Sequence, residues 1–255
     1  VYLAPLIFTV FVWWFSTGIV LYLNRQSRPQ CNKSFVIASF VAMACFVGLL
    51  QSAKSATEMY AYLAFTQALI IWGWCEMSYF MGFITGPHKS ECPANATTLE
   101  RFILAVKTSI YHELLVVAIA AIILVSVWGQ PNLVGFWTFV ILWIMRWSTK
   151  LNIFLGVANL NIDWIPTQLR YIASYTKQRS MNMLFPISII LSCYVAYKLL
   201  GLAFASQVTQ YDSVSYMLLA TLLGLAVLEH CFLMLPVNDA VLWKWSLKLP
   251  KADPK

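Results

Sequence analysis

Seven side chains in this sequence could do acid–base, ion-pairing or metal chemistry from within apolar surroundings: Glu76, His112, Glu113, Arg146, Lys150, Glu229 and His230. Glu76 stands alone in the run IIWGWCEMSYFMGFITGP at 70–87, while His112-Glu113 and Glu229-His230 are adjacent pairs on two later runs. A charged residue at the centre of a bilayer costs about 2.5–3.5 kcal/mol on insertion scales, so each needs a partner or a purpose. Three chemistries suit the set. Arg146 and Lys150, one helical turn apart on one face, could neutralise Glu76, Glu113 or Glu229 as buried ion pairs. Glu76, His112, Glu113, Glu229 and His230 could instead ligate a metal such as iron, as carboxylates and histidines do in helix bundles. Neighbours on a helix point about 100° apart, which makes it hard for both members of a pair to reach one ion. Third, His112 or His230 could be an axial ligand to a tetrapyrrole, since a neutral imidazole binds magnesium or iron well.

The elements that must carry these groups follow from composition. Of the 255 residues, 60% are hydrophobic and 11% charged, and the mean hydropathy is +0.72. A soluble domain is about 45–50% apolar and about 25% charged, so this is an integral membrane protein. Its long unbroken apolar runs predict helices rather than the short alternating segments of a barrel. The expectation is an all-α, polytopic transmembrane bundle of about seven spans, near 3–23, 35–51, 60–84, 102–128, 133–155, 184–204 and 213–235. It is one transmembrane domain over 1–255. The first run lacks a basic flank and a small-residue cleavage site, which predicts an anchor rather than a signal peptide.

Orientation comes from the basic residues. Every Lys and Arg except Lys54 and Lys198 falls on one side of that bundle, including Arg25, Arg28, Lys89, Arg101, Arg170, Lys177, Arg179, Lys244, Lys248, Lys251 and Lys255. The N-terminus is therefore expected in the periplasm and the C-terminus in the cytoplasm of a bacterial inner membrane. The net charge of +7 is spread over all the loops of one side, so anionic lipid of the bilayer, not nucleic acid, is the partner it implies. The six cysteines show no close pairing and read as reduced.

Two connections on the basic side are long. The first, 85–101, opens on Gly86-Pro87 and ends in Thr97-Thr98-Leu99-Glu100, a cap for the next helix. The second, 156–183, holds Pro166 ahead of TQLRYIASYTKQR, which predicts a helix lying in the cytoplasmic interface or packed on protein. No phosphate-cradling glycine loop, HExxH or nucleophile elbow occurs.

Longer motifs carry a resemblance. Trp72-Gly73-Trp74 before Glu76, Met81–Pro87, Cys92-Pro93, Tyr111-His112-Glu113, Trp128–Asn132 and FWTFVILWIMRWSTKLNIFLGVANLN at 136–161 run in order through the chain. With Leu169-Arg170-Tyr171, Glu229-His230 and Asp239, they resemble the PuhE family of photosynthetic complex assembly proteins. The resemblance implies a polytopic inner-membrane protein of bacteriochlorophyll-based phototrophs, encoded with reaction-centre genes. It would be an assembly factor or accessory subunit of the reaction centre/light-harvesting 1 complex, its lipid face binding pigment-protein helices. The rival expectation is a membrane-embedded, carboxylate/histidine metal-dependent oxidoreductase acting on a bacteriochlorophyll or carotenoid precursor. Bacteriochlorophyll and iron are the cofactors these readings would bring, and the residues alone leave the choice open.

Overall fold

A computed structural model describes residues 2–160, 165–235 and 239–247. The expectations for Asn161, Lys248, Lys251 and Lys255 fall outside the described residues. The long helices are α1 (Leu3–Asn24), α2 (Arg28–Ser52), α3 (Glu58–Phe80), α5 (Ile110–Val127), α6 (Val134–Leu155), α7 (Leu184–Ala203) and α8 (Gln210–Met234). A short α4 (Thr98–Lys107) precedes α5, and a last turn, α9 (Lys244–Leu247), follows α8. Among the described residues the β structure is one isolated bridge, Val157 to Gln178.

Five helices, α1, α2, α5, α7 and α8, are long and apolar enough to cross a membrane. This makes the chain a multi-pass membrane protein. The other two long helices, α3 and α6, have 23 and 22 residues, about 33–35 Å at 1.5 Å per residue, but they carry Gln67, Glu76, Arg146, Lys150 and Asn152. Of these, α3 occupies the interior, and α6 packs on it while keeping Trp137 and Ile144 exposed. α3 packs on α1, α2, α5, α6 and α8. The core joins Leu49 of α2, Phe65 and Trp72 of α3, Val116 and Ile123 of α5, Phe139 of α6 and Leu218 and Leu222 of α8.

At one end the turns are tied by Asn132. Its Nδ2 donates to Ser52 O and to Tyr60 O, each at 3.0 Å, while its Oδ1 accepts from Val134 N at 3.1 Å and Tyr211 Oη at 3.2 Å. One side chain therefore fixes the starts of α6 and α8 against the α2–α3 turn. The basic connections gather at the opposite end. Arg28 donates to Met81 O, Gln168 to Phe80 O, and Arg101 to Tyr175 O at 2.7 Å and Phe154 O at 3.2 Å.

Three boundaries differ from expectation. The second span starts at Arg28, not 35, because Ser27 and Gln30 form a capping box and Pro29 sits in the first turn. The expected single span 102–128 is two helices. Thr97 and Glu100 cap α4, and the backbone breaks at Ser109 before α5. Here Gly86 passes so near that a Cβ would meet Lys107 O at 2.0 Å, so only glycine fits. Finally, the helix after Pro166 is a 3-10 helix, Thr167–Tyr175, with Leu169 and Tyr175 buried.

Candidate functional site

The buried polar groups sit where α3, α5 and α6 end or begin near the basic face. Glu76 comes from the last turn and a half of α3, His112 and Glu113 from the first turn of α5, and Arg146 and Lys150 from adjacent turns of α6. The one-turn spacing on α6 gives each carboxylate its own cation. Arg146 Nη2 lies 3.1 Å from Glu76 Oε2, and Lys150 Nζ pairs with Glu113 Oε1. His112 Nε2 is 3.8 Å from Glu76 Oε1, beyond hydrogen-bonding distance, and its backbone N–H donates to Thr85 O at 3.0 Å.

Two aromatic residues next to Glu76 complete the layer. The Tyr79 ring lies 4.8 Å from that of His112, and Lys150 Nζ sits 4.7 Å from the Tyr79 centroid. The Arg146 guanidinium is 5.2 Å from the Phe80 centroid. Contacts of this kind contribute about 0.5–2 kcal/mol according to desolvation. Sequence reasoning passed over Tyr79, although its place three residues after Glu76 put it on the same helix face.

The two remaining residues of the sequence set make their hydrogen bonds outside this layer, although Glu229 stays near enough to Arg146 to act on its charge. Glu229 Oε1 accepts from Trp13 Nε1 of α1 at 2.9 Å. His230 turns the other way: its Nδ1 donates to Ala226 O at 2.8 Å, and its Nε2 is 2.9 Å from Ser148 Oγ of α6. Ser148, Ser188 and Asn152 continue that network between α6 and α7, and Asn182 extends it by donating to Asn152 O and Gly156 O. The roughly 100° between neighbours on a helix is the cause. It sends Glu229 and His230 to different helices, and it sends Glu113 to α6 while His112 faces α3.

This geometry tests the implied cofactors. Among the described residues, no group of three or more His, Cys, Asp or Glu converges to hold a metal ion. Glu76 and Glu113 are engaged by cations, which compete directly with a metal for the same oxygens. An axial ligand needs an accessible ring nitrogen. Both nitrogens of His230 have hydrogen-bond partners, and His112 Nδ1 is enclosed without one. The described donor set therefore does not converge as a di-iron centre requires.

What the arrangement can do is hold charge beside a space. Tyr79, Glu113, Arg146 and Lys150 border a cavity of about 740 Å³, roofed by the 3-10 helix and walled by α4, α6 and the ends of α1 and α8. About a quarter of the Arg146 and Lys150 side chains stays exposed, 25% and 24%, so donors remain after the ion pairs are made.

Outside the spans, the 3-10 helix is held by polar contacts. The Tyr175 hydroxyl donates to Ser90 O at 2.9 Å and lies 2.7 Å from His88 Nε2. Burial pushes its pKa above the ordinary phenol value, with Cys92 and Tyr171 adding to the rise. Burial also lowers the pKa of Arg101, which stacks at 4.0 Å on Phe154.

No solved structure matches this chain. A family model described as protein of unknown function (DUF3623) matches residues 1–253. A Rhodobacter capsulatus protein, described as an uncharacterized 30.4 kDa protein in the puhA 5′ region, is 35% identical over 243 residues, spanning 94% of this chain and 88% of that one. With the family model matching almost its whole length, the chain belongs to the DUF3623 family.

Proposed function

We propose that this protein is an inner-membrane assembly factor or accessory subunit of a bacteriochlorophyll-based reaction centre/light-harvesting 1 complex, binding pigment-protein helices within the bilayer. The observation that carries the reading is the near full-length relative whose description places it in the puhA 5′ region. The motif resemblance to the PuhE family points the same way. The geometry supports the mode of action. The charged groups of the interior meet partners inside the bundle, while α2 and α7 turn large apolar side chains outward, among them Phe40, Met43, Ile190 and Tyr197. In lipid such faces suit helix–helix contacts, which rest on close packing rather than on a hydrophobic driving force.

In this reading α3 and α6 also span the membrane, giving seven spans in one domain, with the N-terminus periplasmic and the C-terminus cytoplasmic. Segment 156–183 then lies in the cytoplasmic interface. Glu76, Glu113, Arg146 and Lys150 form a structural layer that lets two polar helices cross the bilayer.

The test is genetic and biochemical. Deleting the relative in Rhodobacter capsulatus should lower the near-infrared absorption of the assembled complex, and this chain should restore it. Affinity purification from the restored strain should recover complex subunits. Normal complex levels in the deletion strain under all growth conditions would reject the reading. The oxidoreductase alternative makes a separate demand: near-stoichiometric iron in protein purified without chelator, lost on Glu113→Ala.

A further inference from the structure

We infer that the cavity beneath the 3-10 helix is a binding site for an amphiphile with an anionic head, a carboxylate or phosphate on an apolar body. The inference concerns this chain alone and is independent of the assembly role.

The cavity has the size and the lining that such a ligand needs. Its volume of about 740 Å³ lies in the range of about 300–1,000 Å³ typical of small-molecule sites. Most of the wall is apolar, with Phe102, Trp147, Phe154, Leu169 and Ile172 among its residues. These come from α4, α6 and the 3-10 helix, so the apolar body would lie between elements near the membrane surface.

Charge selects the head group. Among the described residues four cations line the cavity, Arg25, Arg146, Lys150 and Arg170, against one carboxylate, Glu113. Glu76 sits behind Arg146, on the side away from the cavity lining. Lys150 offers three N–H donors and spends one on Glu113. Arg146 gives Nη2 to Glu76 and keeps part of its guanidinium toward the cavity. An anion there gains charge-assisted hydrogen bonds in a low-dielectric site, whereas a cation or an uncharged ester does not. The apolar wall excludes a small free anion as the natural occupant, because it would leave most of the space empty.

Trp147 supplies the readout, because bromine atoms quench indole fluorescence on contact. The full-length protein in mild detergent is titrated with dibromostearate, with its methyl ester, and with dibromo-acyl phosphatidylglycerol and phosphatidylcholine. The signal is the quenching lost on Trp147→Phe. Saturable quenching by the acid, at least about tenfold weaker with the ester, is the expected result. Quenching by phosphatidylglycerol but not by the free acid or phosphatidylcholine also supports the site and assigns the head to an anionic phospholipid. Ala105→Phe fills the cavity from α4 without touching an ion pair and should abolish either signal. Glu113→Gln combined with Lys150→Gln removes the cation without stranding its partner and should erase the preference for acid over ester. Saturable quenching of equal strength by acid and ester, quenching by none of the four probes, or quenching unchanged by Ala105→Phe overturns the inference.

Discussion

Helices α3 and α7 are opposites within one multi-pass membrane protein. α3 carries Gln67 and Glu76, yet it is buried along most of its length, with Ala61, Ala64, Phe65, Ala68 and Cys75 fully enclosed. α7 is apolar enough to span unaided and buries only Ser192 and Ala203. In water the more hydrophobic helix would be the inner one. Here the order is reversed, because lipid solvates leucine as well as protein does and the interior is the one place to hide a charge. Between these two helices burial follows polarity and small side chains, not hydropathy.

The comparison is broken hardest by stranding a charge. Lys150→Met leaves Glu113 uncompensated and should cost about 3–5 kcal/mol, read as loss of folded protein in detergent or of accumulation in the membrane. The double variant Lys150→Met with Glu113→Leu should recover most of that loss, and a double variant as damaged as the single would show that the pair is not the source. Next comes Gly135, where α6 crosses α3. A Cβ there meets Leu49 Cδ1 at 2.3 Å and Ala64 O at 3.0 Å, so Gly135→Ala should cost about 1–3 kcal/mol in thermal unfolding by forcing the helices apart.

A smaller effect is expected outside the spans. Tyr175→Phe removes a buried hydroxyl with two partners and should cost about 1 kcal/mol. Because the folded protein holds this phenolic proton more tightly than the unfolded chain, the Tyr175 contribution is present below the ordinary phenol pKa of about 10 and is lost as pH rises beyond it. Alkaline unfolding of Tyr175→Phe should therefore be less steep than that of the native protein. At the far end of the scale, Gly201 on α7 has nothing within 4 Å of a would-be Cβ. Gly201→Ala should stabilise the helix by about 0.5–1 kcal/mol or leave it unchanged. A clear destabilisation, measured as a lower midpoint of thermal unfolding, would mean that the Gly201 face of α7 packs on something in the isolated protein.

The same contrast explains what the sequence made legible. Helix positions followed from apolar runs, which is why α1, α7 and α8 lie close to expectation. Boundaries set by local chemistry were harder. The break at Ser109 lies inside a continuous apolar stretch and depends on Gly86 crossing from another connection, which no local window reveals. Intramembrane charges announced themselves by their cost, and the one-turn spacing of Arg146 and Lys150 pointed to two partners. Which partners was a matter of tertiary rotation: Glu229 looked equivalent to Glu113 in sequence, but its helix phase turns it to Trp13. The cavity could not be read at all, because α1, α4, α6, α8 and a 3-10 helix each contribute a few ordinary apolar residues to it.

Both ion pairs share one helix, and this has a consequence for synthesis. Glu76 and Glu113 lie upstream of Arg146 and Lys150, so the two acidic helices leave the ribosome before their cations exist. At about 5–20 residues per second, the first carboxylate waits on the order of several seconds for its partner. During that interval Glu76 and Glu113 have no cation of their own to pair with. The arrival of α6 supplies both partners at once, because Arg146 and Lys150 lie one turn apart on it.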